Sequence, residues 1–193
     1  MPPRARPLSP EERRAALVEA TVPLLTQHGR GITTRQIADA AGVAEGTIFR
    51  VFESKDAVVL AAVERALDPA TFLRELEEIP AGDDLDAVLL DVTTCFQTRY
   101  TEVFTIMSAM GMTGPPRAKR HTEDLRRRGA ALVTSLVEPF ADQLTVPPEE
   151  VARLLRLLTF SGSHPHISEG DLLTPEQIVS VLLDGTRKKE SRC

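Results

Sequence analysis

Tryptophan is missing from the 193 residues, tyrosine occurs once, and aromatic residues make up only 4%. Any core must therefore be built from Leu, Val, Ile and Ala. Two cysteines, Cys95 and Cys193, cannot supply a disulfide framework and fit a reducing compartment, so a cytoplasmic location is expected. The longest unbroken apolar run, Ala57 to Val63, is far short of the ~18 residues of a spanning helix. The opening MPPRARPLSPEERR lacks the apolar stretch of a signal peptide, and no membrane partner is expected. No Gly-rich phosphate loop occurs, and no nucleophile motif surrounds Cys95 or any serine. His164-Pro165-His166 offers two metal ligands without a third in a suitable local pattern, and His121 sits among basic residues as a solvated helix face. Neither an enzyme nor a bound cofactor or metal is expected.

What is present is helical. Hydrophobic content of 42% is ordinary for a globular protein, and the length allows one domain or two small ones. Persistent apolar–polar alternation is absent, whereas apolar residues recur at three- and four-residue steps. The reading is all-α, about nine helices. Ser9-Pro10-Glu11-Glu12 is a helix start with a cap, a first-position proline and a capping-box glutamate. That helix runs to about His28, with Pro23 expected to kink it and Gly29 and Gly31 to end it. Ser54 caps another helix, ending before Pro69. Leu85 to Tyr100 and Glu102 to Met112 read as two helices, and Arg117 to about Leu144 as the longest, interrupted at Pro139. Val151, Leu154, Leu155 and Leu158 mark an amphipathic helix. HPHISEGDLL is a loop, and Thr174-Pro175-Glu176-Gln177 repeats the capping-box start.

Charge is unevenly distributed. Residues 1–55 carry 8 Lys or Arg and 6 Asp or Glu, a net +2, while residues 56–193 carry 15 and 22, a net −7. An acidic body with a mildly basic head fits a protein that touches a polyanion with one end only. Arg4 and Arg6, in a Pro-rich opening stretch expected to be disordered, are either a basic arm or a solubilising tail.

The stretch ITTRQIADAAGVAEGTIFRVF, Ile32 to Phe52, reads as two short helices joined by a tight turn. Thr33 caps the first, Thr34 to about Ala41, and Gly42 stops it. The second runs from about Glu45 to Val51. Ile37 and Ala41 share one face and Ile48 and Val51 the facing one, leaving Glu45, Gly46, Thr47, Phe49 and Arg50 outward. A polar, partly basic front on a short braced helix suits the major groove of double-stranded DNA. An ordinary helical hairpin is the alternative. Lys55 lies in the first turn of the next helix, where a phosphate can meet both its ammonium and the helix N-terminus.

TTRQIADAAGV-AEGTIFRVF-ESKDAV resembles the DNA-binding domain of the tetracycline-repressor (TetR) family of bacterial transcriptional regulators. The likeness runs from about Leu17 to Leu60, on the core I-A-x-A-A-G-V-x-x-G-T-x-F-x-x-F-x-S-K. It implies a helix-turn-helix head over residues 1–55 and a helical ligand-binding and dimerisation domain over residues 56–193. Thr33, Thr34 and Arg35 would then hold phosphate, with Arg35 able to reach a guanine edge. Thr47 and Phe49 match positions that touch the backbone or a thymine methyl. Arg50 and Glu45 are the expected base readers, Glu45 alternatively resting as a first-turn acid. Two positions depart from the pattern. Phe49 stands where Tyr is more usual, removing a hydroxyl, and Ala44 replaces a Ser-like cap at a cost of ~1 kcal/mol.

The resemblance further implies a homodimer paired through the final helices, here Val151, Leu154, Leu155, Leu158, Ser161, Gly162, Ile178, Val179, Leu182 and Leu183. A plain intramolecular core explains either stripe alone. It also implies an effector cavity, for which Cys95, Phe96, Tyr100, Phe104, Met107 and Met110 are the candidates. Flexible methionines and aromatics suit an adaptable apolar pocket for an apolar or amphipathic molecule, or equally a plain core. The implied activity is a repressor that binds a palindromic operator and is released by a small-molecule effector. The rival is a helical small-molecule-binding or scaffolding protein whose head contacts protein rather than DNA.

Overall fold

The computed structural model describes residues 9–113 and 120–188, the side chains of residues 120–123 and 125 excepted. The expectations at Arg4, Arg6 and Cys193 and at the His121 side chain lie outside the described residues. The fold is all-α, as the periodicity requires. Nine α-helices occur among the described residues: α1 Pro10–His28, α2 Thr34–Ala41, α3 Ile48–Val51, α4 Lys55–Ala66, α5 Ala70–Glu77, α6 Leu85–Ala109, α7 Arg120–Val137, α8 Pro148–Gly162 and α9 Pro175–Thr186. Among the same residues the only sheet-like pairing is an isolated bridge between Leu144 and Arg187.

Helix starts follow the local chemistry closely. Ser9 and Glu12 form a reciprocal capping box, the Glu12 N–H donating to Ser9 Oγ at 3.1 Å and the Ser9 N–H to Glu12 Oε2 at 2.7 Å. Thr33 with Gln36 and Thr174 with Gln177 repeat it at α2 and α9. Each satisfies two backbone donors that a helix start otherwise leaves unpaired. α1 passes through Pro23 and continues to His28 as one element.

Chain contacts divide the molecule into two units, Met1–Asp68 with Thr105–Pro116, and Pro69–Phe104 with Arg117–Cys193. The first has its own core. Leu17, Leu25, Ile32, Ile37, Ile48 and Val58 are essentially inaccessible, joined by Phe52, Ala62, Val63, Ile106 and Met110. The second packs Leu76, Leu85, Leu89, Val92 and Phe96 with Val133, Val137, Phe140, Val151, Leu155, Ile178 and Leu182. Each fully buried aliphatic side chain contributes about 1.5–3 kcal/mol before entropy is charged against it. The low aromatic content is thus compensated by many aliphatic contacts. The buried threonine hydroxyls are settled locally. Thr21, Thr93, Thr159 and Thr186 each donate to the carbonyl four residues back, at 2.6–2.8 Å.

Three sequence expectations change. Leu85 to Met112 is not two helices: α6 runs unbroken for 25 residues to Ala109. Tyr100-Thr101-Glu102 contains no glycine or proline, so the shift in apolar face there marks a change of neighbours and not a break. α7 is shorter than expected. It stops at Val137, and Pro139, which has no N–H to donate, stands in the 3-10 turn Glu138–Gln143 that follows. The second helix of the pair is also shorter, since Glu45–Thr47 is a 3-10 turn and only Ile48–Val51 is α. Ala44 provides no side-chain cap there, and an uncapped start tightens into 3-10 geometry.

Candidate nucleic-acid interface

Gly42 makes the turn between α2 and α3. It lies in the left-handed region at φ 66°, ψ 33°, where a side chain costs energy. The Gly42 N–H donates to Asp39 O at 3.2 Å and the Val43 N–H to Ala38 O at 3.0 Å. This paired reversal closes the last carbonyls of α2. Ile37 and Ala38 on α2 and Ile48 on α3 turn into the core beside Leu17 and Leu25. With Ile48 inside, Glu45, Gly46, Phe49 and Arg50 are exposed and Thr47 is half-buried. Phe49 is 55% exposed, a large apolar side chain left open to solvent.

The front is organised by contacts that spacing alone does not reveal. The Thr34 hydroxyl donates to the Glu45 carboxylate across the turn, so Glu45 is held against the start of α2. Thr33 is engaged in its own cap, its hydroxyl accepting from the Gln36 N–H and donating to Gln36 Oε1 at 2.9 Å. Arg35 extends outward with its side chain 85% exposed and Asp39 one turn on, 4.0 Å away. Lys55 is half-buried in the first turn of α4, above the Ser54 cap that accepts from the Ala57 N–H at 3.1 Å. Gln36 Nε2 lies 3.2 Å from His28 Nε2, tying the end of α1 to the start of α2. The Arg14 guanidinium lies 4.0 Å from the centre of the Phe52 ring and braces the turn after α3.

In the second unit the effector candidates on α6 form part of a row of rings. Phe72 meets Phe96 edge-on at 5.0 Å, Tyr100 stands 5.7 Å from Phe96 and 6.0 Å from Phe104, and Phe160 packs on both Tyr100 and Phe104. Burial pushes the Tyr100 hydroxyl pKa up, while the cations of Arg156 and Arg126 pull it back. Burial, helped by Glu75, raises the Cys95 thiol to about 11, so it stays protonated and unreactive at neutral pH. Met107 is half-buried, and Met110 is buried in the core of the first unit. An open groove of ≈ 520 Å³ lies elsewhere on α6, between Gln97, Thr98, Thr101 and Glu102 and the segment Leu172–Pro175. His164 packs its ring on Phe104 at 4.5 Å, and its Nδ1 accepts from the His166 N–H. No group of metal-ligating side chains gathers among the described residues.

Of the residues expected at a dimer seam, Val151, Leu155, Gly162, Ile178, Val179, Leu182 and Leu183 are buried within one chain. The stripe that amphipathicity reveals is the one a helix spends on its own core. Gly162 accommodates Leu173, whose side chain would stand 3.0–3.2 Å from a Cβ there. Leu154 and Leu158 are half-buried and Ser161 is exposed. The open apolar surface on the same helices is Leu157 at 40%, Phe160 and, most exposed, Val181 at 59%. No helix among the described residues is long and apolar enough to cross a membrane.

Residues 17–62 match the family model of bacterial regulatory proteins, tetR family. Solved structures share the fold over nearly the whole chain. SmeT, the repressor of the Stenotrophomonas maltophilia multidrug efflux pump SmeDEF, is 20% identical over 93% of each chain, with a TM-score of 0.56. A TetR transcription regulator from Haloarcula marismortui is 16% identical over 92% of this chain and 100% of its own, at 0.62. A TetR/AcrR family regulator from Thermobifida fusca is 22% identical over 90% and 97%, at 0.61. A further similar structure is a SmeT–triclosan complex, 20% identical over 94% of each chain, at 0.51.

Proposed function

We propose that the protein, whose residues 17–62 match the model of bacterial regulatory proteins, tetR family, is a sequence-specific DNA-binding transcriptional regulator. It acts as a repressor, binds a near-palindromic operator as a homodimer and is released by a small molecule. The observation that carries this reading is the exposed front over buried Ile48: Glu45, Gly46, Phe49 and Arg50 on a short helix standing clear of the core. Arg50 reads guanine through O6 and N7, while Phe49 contacts a thymine methyl. Thr47, Arg35, Lys55 and the Thr34 backbone N–H at the start of α2 hold phosphates and fix the register. Glu45 is assigned to position Thr34 and, through it, the start of α2. Residues 1–55 do the touching, and residues 56–193 the pairing and ligand binding.

The test is a binding titration against a duplex selected by the protein from a random library. Arg50→Ala should cost about 1–3 kcal/mol on the selected site and flatten the preference for guanine at one position per half-site. A variant that keeps full preference removes the base-reading role.

Pairing is assigned to the outer faces of α8 and α9, where Leu157, Phe160, Ser161 and Val181 lie beside half-buried Leu154 and Leu158. The buried residues Val151, Leu155, Ile178 and Leu182 support these faces from behind. Val181→Ala should weaken the dimer by roughly 1–2 kcal/mol, about tenfold in dissociation constant, as read by sedimentation. A monomeric wild type at micromolar concentration would sink this assignment.

The effector is proposed to be apolar or amphipathic and to bind beside the Phe96–Tyr100–Phe104 row. SmeT, of the same fold, is known in complex with triclosan, an instance that supports such a class. The ligand acts only in so far as it prefers the conformation that misplaces the heads.

A further inference from the structure

The chain that leaves the end of α6 is held by a side chain of the head. A helix ends with carbonyls that have no internal partner and carry partial negative charge. At α6 the Gly111 N–H takes Ser108 O at 3.0 Å and the Met112 N–H takes Met107 O at 2.8 Å, the same paired reversal that closes α2. Just beyond the helix stand the carbonyls of Met110 and Gly111. Both are taken by one side chain 80 residues away: Arg30 Nε donates to Met110 O at 2.5 Å and its Nη2 to Gly111 O at 2.7 Å. Gly29, beside it, is where the backbones come closest. A Cβ on Gly29 would stand 2.3 Å from Ala109 O, so only glycine fits. Ile106 and Met110 complete the attachment by burying themselves in the head's core.

We propose that Arg30 is a positioning residue for DNA binding, its forked pair of hydrogen bonds fixing the head on the end of α6 and so setting the half-site spacing that the paired heads accept. The inference rests on the DNA-binding reading above. α6 is one unbroken helix of 25 residues, about 37 Å long, and it carries the aromatic row in its middle. A rigid rod clamped at its end transmits a displacement, while a loosely tethered one absorbs it. The planar fork is a property of guanidinium; a lysine ammonium meets one of the two carbonyls at a time. Because coupling is reciprocal, a ligand that shifts the end of α6 must work against the fork, and DNA that fixes the head strengthens it.

The experiment uses full-length wild type, Arg30→Ala, Arg30→Lys and Gly29→Ala, with a duplex selected by the wild type from a random library. Derivatives of that duplex carry one or two extra base pairs between the half-sites, and affinities are read by fluorescence anisotropy. Two base pairs rotate one half-site by about 70° and displace it by about 7 Å. Wild type should lose about thirtyfold on that insertion and Arg30→Ala about threefold, with Arg30→Lys between. Gly29→Ala, which forces Ala109 O away, should follow Arg30→Ala. Circular dichroism and sedimentation establish that each variant is folded and paired. An Arg30→Ala spacing profile identical to wild type overturns the proposal, as does an identical Arg30→Lys profile should the alanine variant not fold. If wild type selects no duplex at all, the DNA-binding reading falls first and takes this inference with it.

Discussion

Replacing Ile48 with alanine should lower the head's unfolding free energy by about 2–5 kcal/mol and abolish specific DNA binding, although Ile48 never reaches the surface. The side chain is fully buried beneath the recognition turn, in the core built with Leu17, Leu25, Ile37 and Phe52. The seven residues from Glu45 to Val51 have little else to hold them. Ala44 supplies no cap, and one 3-10 turn followed by four α-helical residues is far below the length at which a helix is stable alone. Their shape is imposed from behind. The neighbouring Phe49 is the control. Being 55% exposed, it should change stability by no more than about 0.5 kcal/mol when replaced by alanine, while still weakening binding through lost base contact. Urea unfolding followed by circular dichroism, paired with anisotropy on the selected duplex, separates the two. An Ile48→Ala protein that melts and binds like wild type would refute the view that packing positions the reading surface.

The contrast between these adjacent residues shows what could be read in advance. Helix starts were legible to the residue at Pro10, Thr34 and Pro175, because a capping box is a local, four-residue chemical event. The turn at Gly42 was legible for the same reason, since only its φ decides it. The length of α6 was not. Its apolar face rotates near Thr101 as it leaves one set of neighbours for another, and periodicity alone reads that rotation as an end.

The candidate site divides along the same line. That Arg50 and Gly46 face outward follows from three-residue spacing once Ile48 and Val51 are assigned inward. That Thr34 bonds to Glu45, eleven residues on, depends on how tightly the turn folds back. The attachment of Arg30 to Met110 and Gly111 is more remote still, and no window of sequence contains both ends. For α8 and α9 amphipathicity identified the face spent on the chain's own core. The outer residues Leu157 and Val181 fall off the stripe because a weakly apolar second face adds little to the pattern.

Raising salt from 50 to 200 mM should weaken binding of the selected duplex by roughly a hundredfold. Each phosphate neutralised by the protein releases condensed counterions, so the logarithm of affinity falls linearly with that of salt, by about 0.9 per contact. Two cations per head, Arg35 and Lys55, neutralise four phosphates in the dimer and give a slope of about −3.6. Exposure supports the choice. The Arg35 side chain is 85% exposed, with only a 4.0 Å approach to Asp39, a pairing worth a few tenths of a kcal/mol in water and readily exchanged for phosphate. Lys55 sits at a helix start, where backbone N–H groups add their own attraction for an anion. Lys55→Gln should reduce the slope by about 1.8, one contact in each protomer, while leaving the preferred sequence unchanged. Arg50→Ala should do the reverse, altering the preferred sequence with little change in slope, because a base contact carries information and a phosphate contact carries charge. A wild-type slope shallower than about −2 would mean that the head is not neutralising a polyanion, and the basic front of α2 and α3 would then have to be assigned to a protein partner.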